Sequence, residues 1–236
     1  GTGVSNTNGS ITSTVSANVD AGFSIVSYTG NATSGATVGH GLSAKPEMII
    51  VKARESITNW IVYNKLMGAT NYHYLNTTLG NGATSIFWNN TEPTASLVTL
   101  GNNAAVNDNA KGNIMYAFHS VEGYSKVGSY TGNGSATSPV FIYTGFKPAF
   151  VMLKRTDVAN GWVMHDIERN NFERRFEANS SAVEYTDYPI FPTANGFYPQ
   201  GNAAGHVAWN ANGGTYIFIA FANTPFKYSN AAIGTP

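Results

Sequence analysis

A five-residue phrase, Ser-Tyr-Thr-Gly-Asn, occurs twice in this chain, 102 positions apart. Residues 26–31 read Val-Ser-Tyr-Thr-Gly-Asn and residues 128–133 read Gly-Ser-Tyr-Thr-Gly-Asn. The same offset carries Pro46 onto Pro148, Lys52 onto Lys154 and Trp60 onto Trp162. After a slip of one residue, Tyr116-Ala117-Phe118 returns as Ile219-Ala220-Phe221. An echo of this length constrains the chain to fold as two related halves of about 100 residues. It also divides the residues into two classes: those present in both halves build the scaffold, and those present in one half are candidates for function.

The boundaries follow from the echo. Residues 1–21, rich in Ser, Thr, Asn and Gly, read as an extended arm or linker whose ordering requires something to pack against. Residues 22–125 form the first repeat, 126–230 the second, and 231–236 a short tail. No Pro/Gly linker separates the repeats. Residues 117–126 run from the last strand of one directly into the first strand of the next, which favours intimate packing. Two sandwiches in tandem and one larger sandwich with pseudo-twofold halves both remain open. The chain opens on Gly1 without a signal-like apolar segment, which reads as a piece of a longer protein.

Within the repeats the signal is β. Short β-branched and aromatic runs such as Phe23–Tyr28, Pro46–Lys52, Asn59–Tyr63 and Asn113–Phe118 are separated by Gly, Asn, Thr and Pro. The second half repeats them at Lys126–Tyr130, Pro148–Lys154, Gly161–His165 and Thr215–Phe221. Further runs at Ile86–Trp88, Val183–Tyr188 and Gly205–Trp209 read as strands too. No stretch has a convincing helical period; the best candidate is His165–Phe176. The fold class expected is therefore all-β, one or more β-sandwiches of antiparallel strands.

Composition excludes several functions. Thirteen basic and thirteen acidic residues leave no net charge and no basic stripe, so the chain has no nucleic-acid footprint. Cysteine is absent, which removes disulfides, thiolate nucleophiles and Cys-based metal sites. The longest apolar runs, such as Met48–Val51, are strand-sized and argue against membrane insertion. His40, His73, His119, His165 and His206 show no metal-ligand spacing, and no cofactor is implied. Asn107-Asp108-Asn109 lacks the distal carboxylate of a calcium loop and reads as a hairpin turn.

The repeated residues read as scaffold. Tyr28 and Tyr130 are expected to anchor their hydroxyls on backbone, and Thr-Gly-Asn to supply positive φ for a turn. Trp60 and Trp162 are expected in the core, and Lys52 and Lys154 to mark strand ends emerging into solvent. Among unmatched residues, Trp88 precedes Asn89 and Asn90, and Trp209 precedes Asn210 and, two further on, Asn212. An aromatic face beside amides suits sugar, whose C–H groups stack on the ring while amides bond the hydroxyls. These six residues are the candidate ligand contacts. Tyr72, Tyr74, Tyr185, Tyr188, Phe197 and Tyr198 extend the uneven aromatic set. Asp166 and Glu168, with Glu173, Glu177, Glu184 and Asp187, could in principle serve a glycosidase. Arg169, Arg174 and Arg175 interleave with them, so a solvated salt-bridge surface is the simpler reading.

Several long motifs resemble a poorly characterised domain of tailed-bacteriophage virion proteins, especially from marine phages. They are Phe23-Ser-Ile-Val-Ser-Tyr-Thr-Gly-Asn, Val38-Gly-His-Gly-Leu, Pro46-Glu-Met-Ile-Ile-Val-Lys, Gly145-Phe-Lys-Pro-Ala-Phe-Val-Met-Leu-Lys-Arg-Thr-Asp and the stretch from Tyr216 to Tyr228. The similarity covers residues 22–230. It implies a virion-surface setting in a tail or fibre protein, an adhesive or structural role, other virion proteins as partners, and a homo-oligomer. It supplies no catalytic or binding residues. The combined expectation is a non-enzymatic appendage module contacting host-surface polysaccharide. A purely structural decoration or spacer domain is the alternative, and a depolymerase the more distant one.

Overall fold

The computed structural model describes residues 2–169, 171–186, 189–199 and 207–224. The first half contributes β1 (Val4–Asn6), β2 (Ser13–Asn18), β3 (Phe23–Thr29), β4 (Thr37–Gly39), β5 (Met48–Ala53), β6 (Ile61–Asn64), β7 (Asn71–Tyr74), β8 (Gly82–Ala83), β9 (Leu97–Thr99), the four-residue helix α1 (Ala104–Asn107) and β10 (Gly112–Phe118). The second contributes β11 (Ser125–Thr131), β12 (Ile142–Tyr143), β13 (Pro148–Arg155), β14 (Trp162–Asp166), β15 (Arg175–Glu177), β16 (Ile190–Thr193), β17 (Gly196–Pro199), α2 (Val207–Asn210) and β18 (Thr215–Ala222).

Among the described residues the strands form one eight-stranded sheet, β1-β2-β3-β10-β5-β6-β7-β8, and one five-stranded sheet, β11-β18-β13-β14-β15, with small sheets β4-β9 and β12-β17-β16 beside them. The pairings are antiparallel throughout these ladders. The order β3-β10-β5-β6-β7 is repeated without change in β11-β18-β13-β14-β15. The fold is all-β, as the alternation of short apolar runs predicts.

The central strands are apolar on both faces, and each face serves a different layer. In β5, Ile49 and Val51 enter an outer cluster with Val26, Tyr28, Tyr63, Trp88 and Val106. Met48 and Ile50 point the other way, into a cluster that also holds Val62, Val127, Met152, Trp162, Ile217 and Ile219. In β18, Tyr216, Phe218 and Ala220 serve the second half's own outer cluster. The middle cluster draws on the same face of both large sheets. The halves are therefore stacked face to face about an approximate twofold, one sandwich with three apolar layers rather than two beads.

The arm is not a linker. Residues 4–18 form β1 and β2, and β2 pairs with β3 from Ser13↔Tyr28 to Asn18↔Phe23. Ile11 and Val15 are buried in the first outer cluster; these apolar residues supply the packing that the polar composition conceals. His165–Phe176 holds no α-helix among its described residues; β14 ends at Asp166 and β15 begins at Arg175. The two short helices arise instead where the sequence suggests a turn (104–107) and a strand (207–210). Ile86–Trp88 is a turn and Tyr185 makes a single bridge to Arg175. The tail at 231–236, Tyr188, Asp187 and His206 lie outside the described residues.

The echoed phrase clamps these helices. The Tyr28 hydroxyl donates to the Val106 carbonyl at 2.6 Å, and that of Tyr130 to the Trp209 carbonyl at 2.7 Å. Asn31 N donates to Asn107 Oδ1 at 2.8 Å, and Asn133 N to Asn210 Oδ1 at 3.0 Å. The glycine between them does not supply positive φ. A Cβ on Gly30 would collide with the Asp108 carbonyl oxygen, and one on Gly132 with that of Ala211. Glycine is needed so that two backbones can touch. Positive φ falls two residues later, at Ala32 (52°) and Gly134 (67°). Burial raises the phenol pKa of both tyrosines, so they stay protonated donors.

Candidate functional site

Trp88 and Trp209 are 1% and 2% exposed, so neither offers a face to a ligand. Each fills its own outer core from a different place in the chain. Trp88 lies edge-on to Tyr63, with ring centroids 5.9 Å apart, and Trp209 edge-on to His165 at 6.1 Å. Tyr63 and His165 are equivalent under the 102 offset, so the two indoles compensate for one another structurally. They look unmatched in sequence because one comes from a turn and the other from α2. Asn210 is also buried. Its amide donates to Asn133 Oδ1 at 2.9 Å and to the Ser135 carbonyl at 3.0 Å, the counterpart of Asn107 donating to Thr33 and Gly101. Asn89 (φ 50°) and Asn90 (φ 51°) shape the turn after Trp88, and Asn89 Oδ1 accepts from the Ser34 hydroxyl at 2.9 Å. Asn212 is exposed. The six residues do not form one site, and the two indoles and Asn210 serve the scaffold.

Lys154 departs from its sequence expectation as well. It is fully buried, and its ammonium donates to the carbonyls of Asn160 and, at 3.1 Å, Thr78 in the other half. Burial lowers its pKa to about 8. Lys52 makes the matching bond to the Thr58 carbonyl at 2.8 Å and is half-buried. Trp162 is core, as predicted, while Trp60 is half-buried against the middle layer.

The carboxylates belong to an ion-pair surface. Asp166 pairs with Arg169 at 2.8 Å, Arg169 also reaches Glu184, and Glu184 meets Arg174 at 3.4 Å. Arg175 pairs with Glu177 at 2.9 Å, and Glu168 is exposed. Among the described residues no cluster of three His, Asp or Glu side chains is placed to hold a metal ion. Nor is any described helix long and apolar enough to cross a membrane.

One concave surface lies on the first half's outer face. A groove of about 360 Å³ is lined by Thr58, Asn59, Ile61, Tyr72, Tyr74, Thr84, Ile86, Phe87, Asn103 and Ala105. Tyr72 and Tyr74 alternate with His73 on β7, so both rings point to one side of the strand. Their centroids are 5.0 Å apart, and Phe87 meets Tyr72 at 4.7 Å and Tyr74 at 6.3 Å. Ile86 is 40% exposed at the rim. Asn59 Oδ1 accepts from Asn76, and Asn103 Oδ1 caps α1 by accepting from Ala105 N at 2.9 Å. Burial, then a hydrogen bond and charge repulsion from Tyr72, raise the Tyr74 phenol's pKa, with Asn59 opposing. The strand that carries them is tied to the other half: Trp162 Nε1 donates to the Tyr74 carbonyl at 2.9 Å.

This groove is not duplicated. Tyr63 and His165 are equivalent, and strand register then places Arg175 where the first half has Tyr72, and Glu177 where it has Tyr74. Arg175 fills the corresponding space, its guanidinium 4.2 Å from the Tyr185 ring centre and 5.1 Å from that of Trp209. The second half carries a different, more apolar hollow of about 490 Å³ lined by Ala136, Thr137, Ser138, Pro139, Phe191 and Tyr198, with Phe197 buried in the core behind. Tyr72 and Tyr74 belong to the uneven aromatic set evident in sequence. Ile86, Phe87, Asn59 and Asn103 were missed; the one available signal was Tyr-x-Tyr at strand spacing beside an unmatched Ile-Phe.

No curated protein and no solved structure matches this chain. A family model does match, over residues 1–225. The chain belongs to the family described as a domain of unknown function, DUF7483.

Proposed function

We propose that this chain is a non-enzymatic module of a virion appendage, such as a phage tail fibre, that contacts host-surface glycans through the Tyr72–Tyr74 groove. The observation that carries the contact role is the replacement of an Arg175–Glu177 ion pair in one half by a half-buried, groove-lining tyrosine pair in the other. A scaffold needs only one of these solutions, and the half with the tyrosines is also the half with the amide-lined groove. Aromatic rings offer a face to sugar C–H groups. The tyrosine hydroxyls and the amides of Asn59 and Asn103 offer donors and acceptors to hydroxyls. Its volume lies near the lower end of ligand pockets, roughly 300–1,000 Å³, which suits a short saccharide. The virion setting is supported by the resemblance of residues 22–230 to phage virion domains. A weak single site suffices there, because multimeric fibres gain avidity.

Glycan-array binding by the wild-type chain, presented multivalently, is expected to disappear in Tyr72→Ala plus Tyr74→Ala while melting stays cooperative. Binding that persists in the double variant removes the site. Release of reducing ends from the bound polysaccharide would instead indicate a depolymerase.

A further inference from the structure

The two halves differ at one sheet edge. In the first half, β3 is covered by β2; in the second, the equivalent β11 pairs only with β18 among the described residues. The two strands differ in burial on the face toward the outer core, while on the other face Ser125 and Val127 are buried. Ser24, Val26 and Tyr28 of β3 are buried, whereas Lys126, Gly128 and Tyr130 at the same positions are only half-buried.

The register shows which backbone groups are open. Gly132 N donates to the Gly214 carbonyl, so the even-numbered residues of β11 bond β18 and the odd-numbered ones point outward. Ser125 is already bonded to Val121 in both directions, and Val127 N donates to the Ser120 hydroxyl at 2.9 Å. The free set is then the Val127 carbonyl, both backbone groups of Ser129, and both of Thr131. Apart from the Thr131 carbonyl, which is left to solvent, this set is self-complementary about Ser129.

We infer that β11 is a homodimer interface, pairing antiparallel with β11 of a second copy about a twofold at Ser129. Ser129 exchanges both hydrogen bonds with its own copy. Each Thr131 N–H donates to the Val127 carbonyl across the axis, and the Val127 N–H, already satisfied by Ser120, is not required. Tyr130 lies opposite Gly128 of the second copy, where no side chain obstructs its ring. The other outer edges among the described residues, β1, β4, β8, β9, β12, β15 and β16, are two to four residues long, shorter than the open Val127–Thr131 stretch of β11. Closed twofold pairing also removes an exposed edge that would otherwise recruit strands without limit.

The test exploits the absence of cysteine. A hydrogen-bonded antiparallel pair sits about 5.5 Å apart at Cα, within the disulfide range. Ser129→Cys is expected to yield a covalent dimer on air oxidation, read on non-reducing gels, with little dimer from the exposed control Ser181→Cys. Sedimentation velocity of the wild type over a micromolar to millimolar series should show a dimer, and Ser129→Pro, which removes the bridging N–H, a folded monomer. A wild type that stays monomeric across the series overturns the inference. So does a dimer in which Ser129→Cys forms no more disulfide than the control.

Discussion

Removing the Asn210 side chain tests whether the repeated clamp, rather than a ligand, explains this residue. Asn210→Ala deletes the acceptor for Asn133 N and two donated bonds, to Asn133 Oδ1 and the Ser135 carbonyl. Each is worth about 1 kcal/mol net, and the stranded groups add part of a desolvation penalty. Asn133 is exposed, so water recovers some of that loss. The expected cost is about 2–3 kcal/mol. For a chain of this size that lowers Tm by roughly 5–10 °C. Asn107→Ala removes the matching three bonds and should cost at least as much, because Asn107 is fully buried. Calorimetry or circular-dichroism melts of both variants, with saccharide binding measured on each below its melting range, decide the matter. Both should melt early and retain binding. An Asn210→Ala chain that melts like wild type but loses binding would falsify the scaffold assignment.

Three further outcomes follow from the same geometry. Ala32 holds φ 52° where the second half has Gly134, so Ala32→Gly should stabilise by up to about 1 kcal/mol and Gly134→Ala should destabilise; thermal melts read both. Trp88→Ala opens the first outer core and should cost about 3–5 kcal/mol in chemical denaturation. His73 is fully buried, and burial followed by the nearby Lys154 charge lowers its pKa to about 4. The folded state therefore favours the neutral ring, and its contribution is present above pH 6.5 and lost as pH falls toward 4, about 3 kcal/mol in all. His73→Phe, which copies Phe176 at the equivalent position, should flatten that part of the stability–pH curve between pH 7 and 4.

The fold class was legible because strand-length apolar runs between Gly, Asn and Pro admit little else, and the echo fixed the two-half plan. Its failures have physical causes. The polar arm at 1–21 hides Ile11 and Val15, two buried apolar residues too few to register as a pattern. The four-residue helices are too short to show a period; they are held by Tyr28, Tyr130, Asn107 and Asn210 rather than by propensity. Sorting residues by the echo worked for Tyr28, Tyr130 and Trp162 and misled at Trp88 and Trp209. Equivalent space can be filled from non-equivalent sequence positions, and an offset in residue number does not detect that. The same sorting succeeded where strand register could be compared directly, at Tyr72 and Tyr74 against Arg175 and Glu177. The groove itself was not legible, because Asn59, Ile86 and Asn103 meet there only through the pairing of β6, β7 and the turn before α1.

The most direct measurement of the central claim is an amide and aromatic NMR titration of the intact chain with saccharide fragments of the host surface. Shift changes are expected to concentrate on Asn59, Tyr72, Tyr74, Ile86, Phe87 and Asn103, with the Arg175–Glu177 region of the other half silent. Changes centred on the second half, or spread equally over the two equivalent positions, would contradict it.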